Sequence, residues 1–239
     1  MLQALRRFAA ALSAVLLILI GLPAPAAAQP VNGVTCERPE SDAEALEILG
    51  SGRGDAYWWD HTNLTVVVLS QPGADDAYVT AIHDAIAAWD EVLRDCFDGL
   101  ITLTDITGTK GARSRADIVI RYVLHAGGVS RGAFALCVKE RCTNVLLSSV
   151  APPGSNFEDT PLQDFEWLVM HELGHTLGLG HPTNIDSIDL MGYGWIGENQ
   201  PPPILSDCDV DALAFIWAWA LDGTSPSPPT SGLYDCLQS

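Results

Sequence analysis

The chain has 239 residues, with 30 acidic against 12 basic side chains, a formal net charge of −18 and a mean hydropathy of +0.18. So acidic a surface argues against nucleic acid and anionic membrane faces as partners. It is compatible with bound calcium, although the sequence carries no EF-hand pattern.

Arg6 and Arg7 precede an apolar run from Phe8 to Leu22, and Ala26, Ala27 and Ala28 supply a small-residue cleavage site. Residues 1–28 therefore read as a secretory signal peptide, and the run is short for a retained membrane anchor. Its removal takes away two arginines and no acid, moving the net charge from −18 to −20. About 210 residues remain, enough for one domain with a proper core.

Residues 29–56 form an N-terminal segment in which Glu37 to Leu49 shows a short helical tendency, followed by the break Ser51-Gly52-Arg53-Gly54. The main domain is expected over 57–222. Leu64 to Leu69 is apolar and β-branched, hence a buried strand. From Asp75 to Cys96, residues Ala81, Ile82, Ala85, Ile86, Trp89 and Leu93 recur at helical spacing and predict a helix facing the core. Ile101–Ile106 and Asp117–Leu124 read as strands, residues 125–132 are glycine-rich, and Ala133–Val138 and Asn144–Val150 read as the last two strands. Residues 151–160 are a loop, and a further helix is expected from about Pro161. Ser206 with Asp209 forms a capping pair for a last helix whose Phe215, Ile216, Trp217 and Trp219 are expected to pack beneath the site. Residues 223–239 form a Ser/Pro-rich tail.

All six cysteines follow the signal: Cys36, Cys96, Cys137, Cys142, Cys208 and Cys236. An even count in an exported chain predicts disulfides. Cys137 and Cys142 are expected to close a small loop, Cys236 is expected to hold the tail, and the other pairings stay open.

The chemistry concentrates in His171-Glu172-Leu173-Gly174-His175-Thr176-Leu177-Gly178-Leu179-Gly180-His181, which fits H-E-x-x-H-x-x-G-x-x-H. His171 and His175 are one helical turn apart on the same face. A third ligand six residues beyond would leave that face if the helix continued, so the chain must turn. Gly178 is suited to the positive φ of such a turn, and Pro182 opposes a return to helix. His181 is then brought back, and three imidazoles occupy three corners of a zinc tetrahedron with the fourth left for water. Glu172, next to the first ligand, is placed to act as general base. Leu173, Leu177 and Leu179 read as packing, and His61, His83 and His125 as incidental.

This run, with Met191 ten residues after His181, resembles the metzincins, zinc endopeptidases in which a methionine turn underlies the three histidines. The likeness spans roughly residues 60–220. Ala116 to Tyr122 resembles a matrixin sheet strand, and Leu205 to Val210 the start of the matrixin C-terminal helix. Three positions depart from matrixins. Pro182 is serralysin-like. Tyr193 resembles the astacin and serralysin tyrosine that ligates zinc or stabilises the oxyanion, against the alternative of a tyrosine merely packed on the turn. Cys208 stands where matrixins tend to carry the aspartate that receives the processed N-terminus. Cys36-Glu37-Arg38-Pro39 bears a faint likeness to the matrixin propeptide thiol segment, with a disulfide as the other reading of Cys36.

The resemblance implies an α+β zincin fold: a twisted, mostly parallel five-stranded sheet with an antiparallel edge strand, an active-site helix, a Met-turn and a C-terminal helix. It implies a monomeric, secreted zinc endopeptidase acting on polypeptides. His171, His175 and His181 would be the metal ligands, Glu172 the base, Tyr193 an oxyanion donor and Met191 a structural residue. The edge strand, expected at Ala133–Val138, would pair with an extended substrate. Gly192 to Glu198 would wall the pocket after the scissile bond. The alternative from another class is a secreted zincin-fold binding protein that retains zinc without broad peptidase activity. A peptidase confined to one target is a further reading.

Overall fold

The computed structural model describes residues 39–50, 56–123, 133–138, 141–150, 159–194 and 200–238. The expected signal peptide, Cys36, the glycine-rich 125–132 with His125, and 195–198 after the methionine lie outside them.

Strand β1 is Ala45–Ile48, where a helical tendency is expected from sequence. The composition there favours helix weakly, but Leu46 and Ile48 alternate with half-exposed Ala45 and exposed Glu47. That two-residue period suits a strand with partners on both sides, and tertiary pairing overrides so small a local preference.

Strand β2, Asn63–Ser70, is buried at Leu64 and Val66 to Val68, as the middle of a central parallel strand should be. Helix α1, Asp76–Cys96, is capped by Asp75, whose carboxylate accepts from the Ala77 amide at 2.9 Å. Its buried stripe contains all six predicted residues and adds Val92. Strand β3 is Thr102–Asp105, the one-turn helix α2 is Ala112–Arg115, and β4 is Ile118–Tyr122. Strand β5 is Ala133–Val138, as expected, whereas β6 runs Arg141–Leu147 and so begins three residues before, and ends before, the predicted span. The Cys137–Cys142 disulfide explains the shift: Cys137 pairs with Cys142 and Val138 with Arg141, so the ladder continues up to the hairpin turn.

These five strands form a sheet ordered β3-β2-β4-β6-β5, parallel throughout except for β5, which runs antiparallel to β6 at the edge. The fold is therefore the expected α+β class with a mostly parallel five-stranded sheet. Helix α3, Leu162–Thr176, packs against α1, and the Trp89 indole N–H donates to the Met170 carbonyl at 2.8 Å between them. Strand β7, Leu179–Pro182, follows immediately.

Helix α4, Asp207–Ile216, carries the predicted capping box between Ser206 and Asp209. It stops at Ile216, and the short α5, Ala218–Leu221, follows. One expectation is corrected: Ile216 and Trp217 are buried and Trp219 packs partly against the core, but Phe215, on the face of α4 away from buried Ala212, Leu213 and Ile216, is 41% exposed and lies near Tyr234, 5.9 Å between ring centres. The tail forms strand β8, Gly232–Asp235, and Cys236 is bonded to Cys208 on α4. A second sheet results, ordered β7-β1-β8. Strands from both flanking segments are thus built onto the unit expected over 57–222. No helix among the described residues is long and apolar enough to cross a membrane.

Candidate metal centre

Helix α3 carries His171 and His175 on its buried side, then ends at Thr176. Gly178 takes φ of +108°, and a Cβ there would lie 2.9 Å from the Tyr57 carbonyl, so both conformation and space call for glycine. The chain thus reverses into β7 and returns His181. The ligand nitrogens of His171, His175 and His181 all lie within 4.8 Å of one another. Among the described residues no other group of three His, Cys, Asp or Glu side chains is close enough to hold an ion.

The hydrogen bonds fix the tautomers of two of the three. His171 Nδ1 lies 2.8 Å from the Leu190 carbonyl and His175 Nδ1 lies 2.8 Å from the Leu179 carbonyl. A carbonyl only accepts, so each Nδ1 carries the proton and each Nε2 presents a lone pair. Burial keeps all three rings neutral. It depresses His171 well below the ordinary range, aided by nearby His175, and brings His175 down to about 4; His181 is lowered for the same reason. Neutral imidazoles with outward lone pairs are the protonation state a metal requires.

His171 Nε2 and His181 Nε2 stand 3.3 Å apart. A zinc tetrahedron with ordinary Zn–N bonds has edges of about 3.3 Å. The donor set suits zinc, and this one edge matches its tetrahedron.

Glu172 is 5% exposed, and burial raises its carboxyl to about 8, partly offset by the Ala135 backbone N–H donating to it. A group poised near neutrality can take up and return a proton. The Tyr193 hydroxyl lies 2.9 Å from His181 Nε2, and its ring stacks on His171 with centroids 5.1 Å apart. Met191 is fully buried against Gly174, which lies between His171 and His175 on α3. His171, His175, His181 and Tyr193 thus come together, with Glu172 next to His171 on α3, while Trp195 to Glu198 of the predicted pocket wall lie outside the described residues. His61 and His83 lie elsewhere, against Asp60 and Asp105 respectively.

Sequence reasoning missed the supporting groups. The Leu179 and Leu190 carbonyls and the Ala135 amide are backbone, and a residue name does not reveal them. It also missed a carboxyl network below the turn. Buried Asp189 accepts from Ser41 Oγ at 2.8 Å and contacts Ser187 Oγ, which also contacts Asp42. Fully buried Asp209 accepts from the Ser206 amide at 2.9 Å. Burial raises Asp189, with the Asp42 charge adding to it, and raises Asp209 to about 7, with Asp189 contributing.

The chain is similar to interstitial collagenase of Bos taurus, 27% identical over 190 residues, which cover 72% of this chain and 35% of that protein. It thus spans about a third of that relative's length. No protein-family model matches. Among solved structures it is similar to high choriolytic enzyme 1, a hatching enzyme zinc-protease of Oryzias latipes, at a TM-score of 0.37 and 14% identity, covering 75% of this chain and 99% of that one. A chaperone–substrate complex matches at a TM-score of 0.40 and 13% identity, over 70% of this chain and 40% of the other.

Proposed function

We propose that the chain is an exported zinc-dependent endopeptidase, a matrixin-like metzincin with serralysin- and astacin-like features at Pro182 and Tyr193. The observation that carries this reading is the convergence of three neutral imidazoles, two with Nδ1 tied to a carbonyl, beside one buried carboxyl. His171, His175 and His181 would hold the metal. Bound zinc supplies a Lewis acid that acidifies a water and polarises a carbonyl.

The protein's own residues perform the rest. Glu172 receives the proton of the attacking water and returns it to the departing amide nitrogen, a double duty suited to its raised pKa. Tyr193 donates its phenolic proton as a hydrogen bond to the developing oxyanion. Among the described residues strand β5 has β6 as its one sheet neighbour and forms the sheet's edge, so its outer rim, apart from the Ala135 amide held by Glu172, can pair with an extended polypeptide. The disulfides Cys137–Cys142 and Cys208–Cys236 suit an oxidising compartment outside the cytosol. A monomer suffices for every one of these roles.

The test takes residues 29–239, loaded with zinc, on a proteome-derived peptide mixture with Glu172→Ala in parallel. New termini produced by the wild type, and at least about 1000-fold fewer by the variant, are expected from loss of the base. A folded protein holding one zinc and cutting nothing would instead support the zinc-retaining binding protein.

A further inference from the structure

We propose that β1, from the segment preceding the main domain, is a permanent clasp that orients His181, so that zinc affinity depends on residues 45–48 and the active protein retains them. The proposal rests on the reading of the three histidines as zinc ligands.

The strand pairing shows how the clasp acts. Leu46 pairs with Pro182 and Ile48 with Leu179, so two steps along β1 match three along β7. The surplus residue is a bulge on β7 in the stretch containing Gly180 and His181. A bulge bends its strand and re-aims a side chain, but only against a partner that holds the residues on either side. Here that partner is β1. The Thr183 amide donates to the Ala45 carbonyl at 2.9 Å, and the Leu49 amide donates to the Gly178 carbonyl at 3.0 Å, so both ends of the bulge are pinned. At its centre a Cβ on residue 180 would lie 2.7 Å from Glu47 Cβ and 2.8 Å from the Glu47 carbonyl, an approach only glycine permits.

The same segment also reaches a second ligand. The Ser41 amide donates to Asp207 at 2.8 Å, and Ser41 Oγ donates to Asp189. Asp189 precedes Leu190, whose carbonyl holds His171. Residues 41–48 therefore brace two of the three ligands through different contacts.

A removable blocking segment would lie across the open side of the histidines. This one is threaded into the molecule: Leu46 and Ile48 belong to the hydrophobic core. Its outer edge is covered by β8, from Ala45 opposite Asp235 to Ile48 opposite Gly232. The Cys208–Cys236 disulfide anchors the end of β8 to α4. Leu46, Glu47 and Ile48 are positioning residues, since none is among the three ligands.

The experiment measures the zinc dissociation constant by competition with a chromophoric chelator for wild type, Leu46→Ala and Leu64→Ala. Leu64 is equally buried but lies on β2, in the other sheet, and serves as the control for general loosening of the core. The mass of the zinc-loaded secreted protein is measured as well, to locate its N-terminus. Leu46→Ala should weaken zinc binding about 10–100-fold, the range for losing support behind a ligand, while Leu64→Ala changes it by less than about 3-fold. The secreted protein should begin before Ala45. Should Leu46→Ala not fold, Leu46→Val against Leu64→Val must show the same order. Equal shifts at 46 and 64, or a zinc-loaded protein starting after Leu49, would overturn the clasp and leave the metal site standing. A folded wild type that binds no zinc would overturn both.

Discussion

Tyr193 and His181 share a contact that decides what the phenol does. The hydroxyl lies 2.9 Å from Nε2 of the third histidine, the atom the proposed metal would use. One lone pair cannot serve both, so a metal at the site would displace the hydroxyl from Nε2, and the proposed role is that it then donates to the substrate oxygen. The ring meanwhile stays fixed by stacking on His171. Replacing Tyr193 with Phe keeps that stacking and removes only the donor. The expected result is a fall in kcat of about 100-fold with little change in KM, the pattern for a contact made in the transition state. Steady-state cleavage of a quenched peptide, with zinc content measured alongside, checks it. Unchanged kcat would reduce Tyr193 to a packing residue on the turn.

At the scale of elements, the methionine turn and α3 meet at one narrow place. A Cβ on Gly174 would lie 2.5 Å from Met191 Sδ, and 3.6 Å from the Trp89 ring on α1. The thioether could shift in an open site, but Met191 is fully buried, so little room is left. Gly174→Ala should therefore destabilise the protein by about 1–3 kcal/mol through overpacking, despite alanine's better helix propensity. Urea unfolding reads this directly, and a neutral or stabilised variant would contradict the packing described. This contact also marks the limit of sequence reading. H-E-x-x-H-x-x-G-x-x-H places three ligands and the Gly178 turn because all the information lies within one short run. The stripe of α1 was legible for the same reason, having a local period, and strand β5 as a short unbroken apolar run. Strand β1 was not, because what makes Ala45–Ile48 a strand is pairing with residues 179–182 and 232–235, far away in the chain. The backbone carbonyls that orient His171 and His175 leave no mark on the sequence either, since every residue has one.

Across the described residues, the segment around 41–42 is tied to the methionine turn and to α4, and carboxyl groups do much of the joining. Asp42 from the N-terminal segment, Asp189 before the methionine and Asp209 on α4 lie in one connected set, bridged by Ser41 and Ser187 and coupled through Asp189. Asp209 is the deepest, fully buried, with its pKa raised to about 7 chiefly by burial and further by Asp189. Its value in an unfolded chain is the ordinary 3.8. Between those two values the folded protein holds a proton that the unfolded chain has released, so stability from this group is full below about pH 4 and declines as pH rises to about 7. Other groups oppose it: the depressed histidines favour the folded state as pH rises through the same window. The Asp209 contribution therefore emerges only as a difference between wild type and Asp209→Asn, measured by urea unfolding at steps from pH 4 to 8. Relative to wild type, the asparagine variant should gain stability with rising pH, by up to about 1.4 kcal/mol per pH unit, and level off above about pH 7. A difference independent of pH would mean that Asp209 ionises normally in the folded protein. The network would then tie the N-terminal segment to the turn and α4 by hydrogen bonds to carboxylates, with no proton retained at that position.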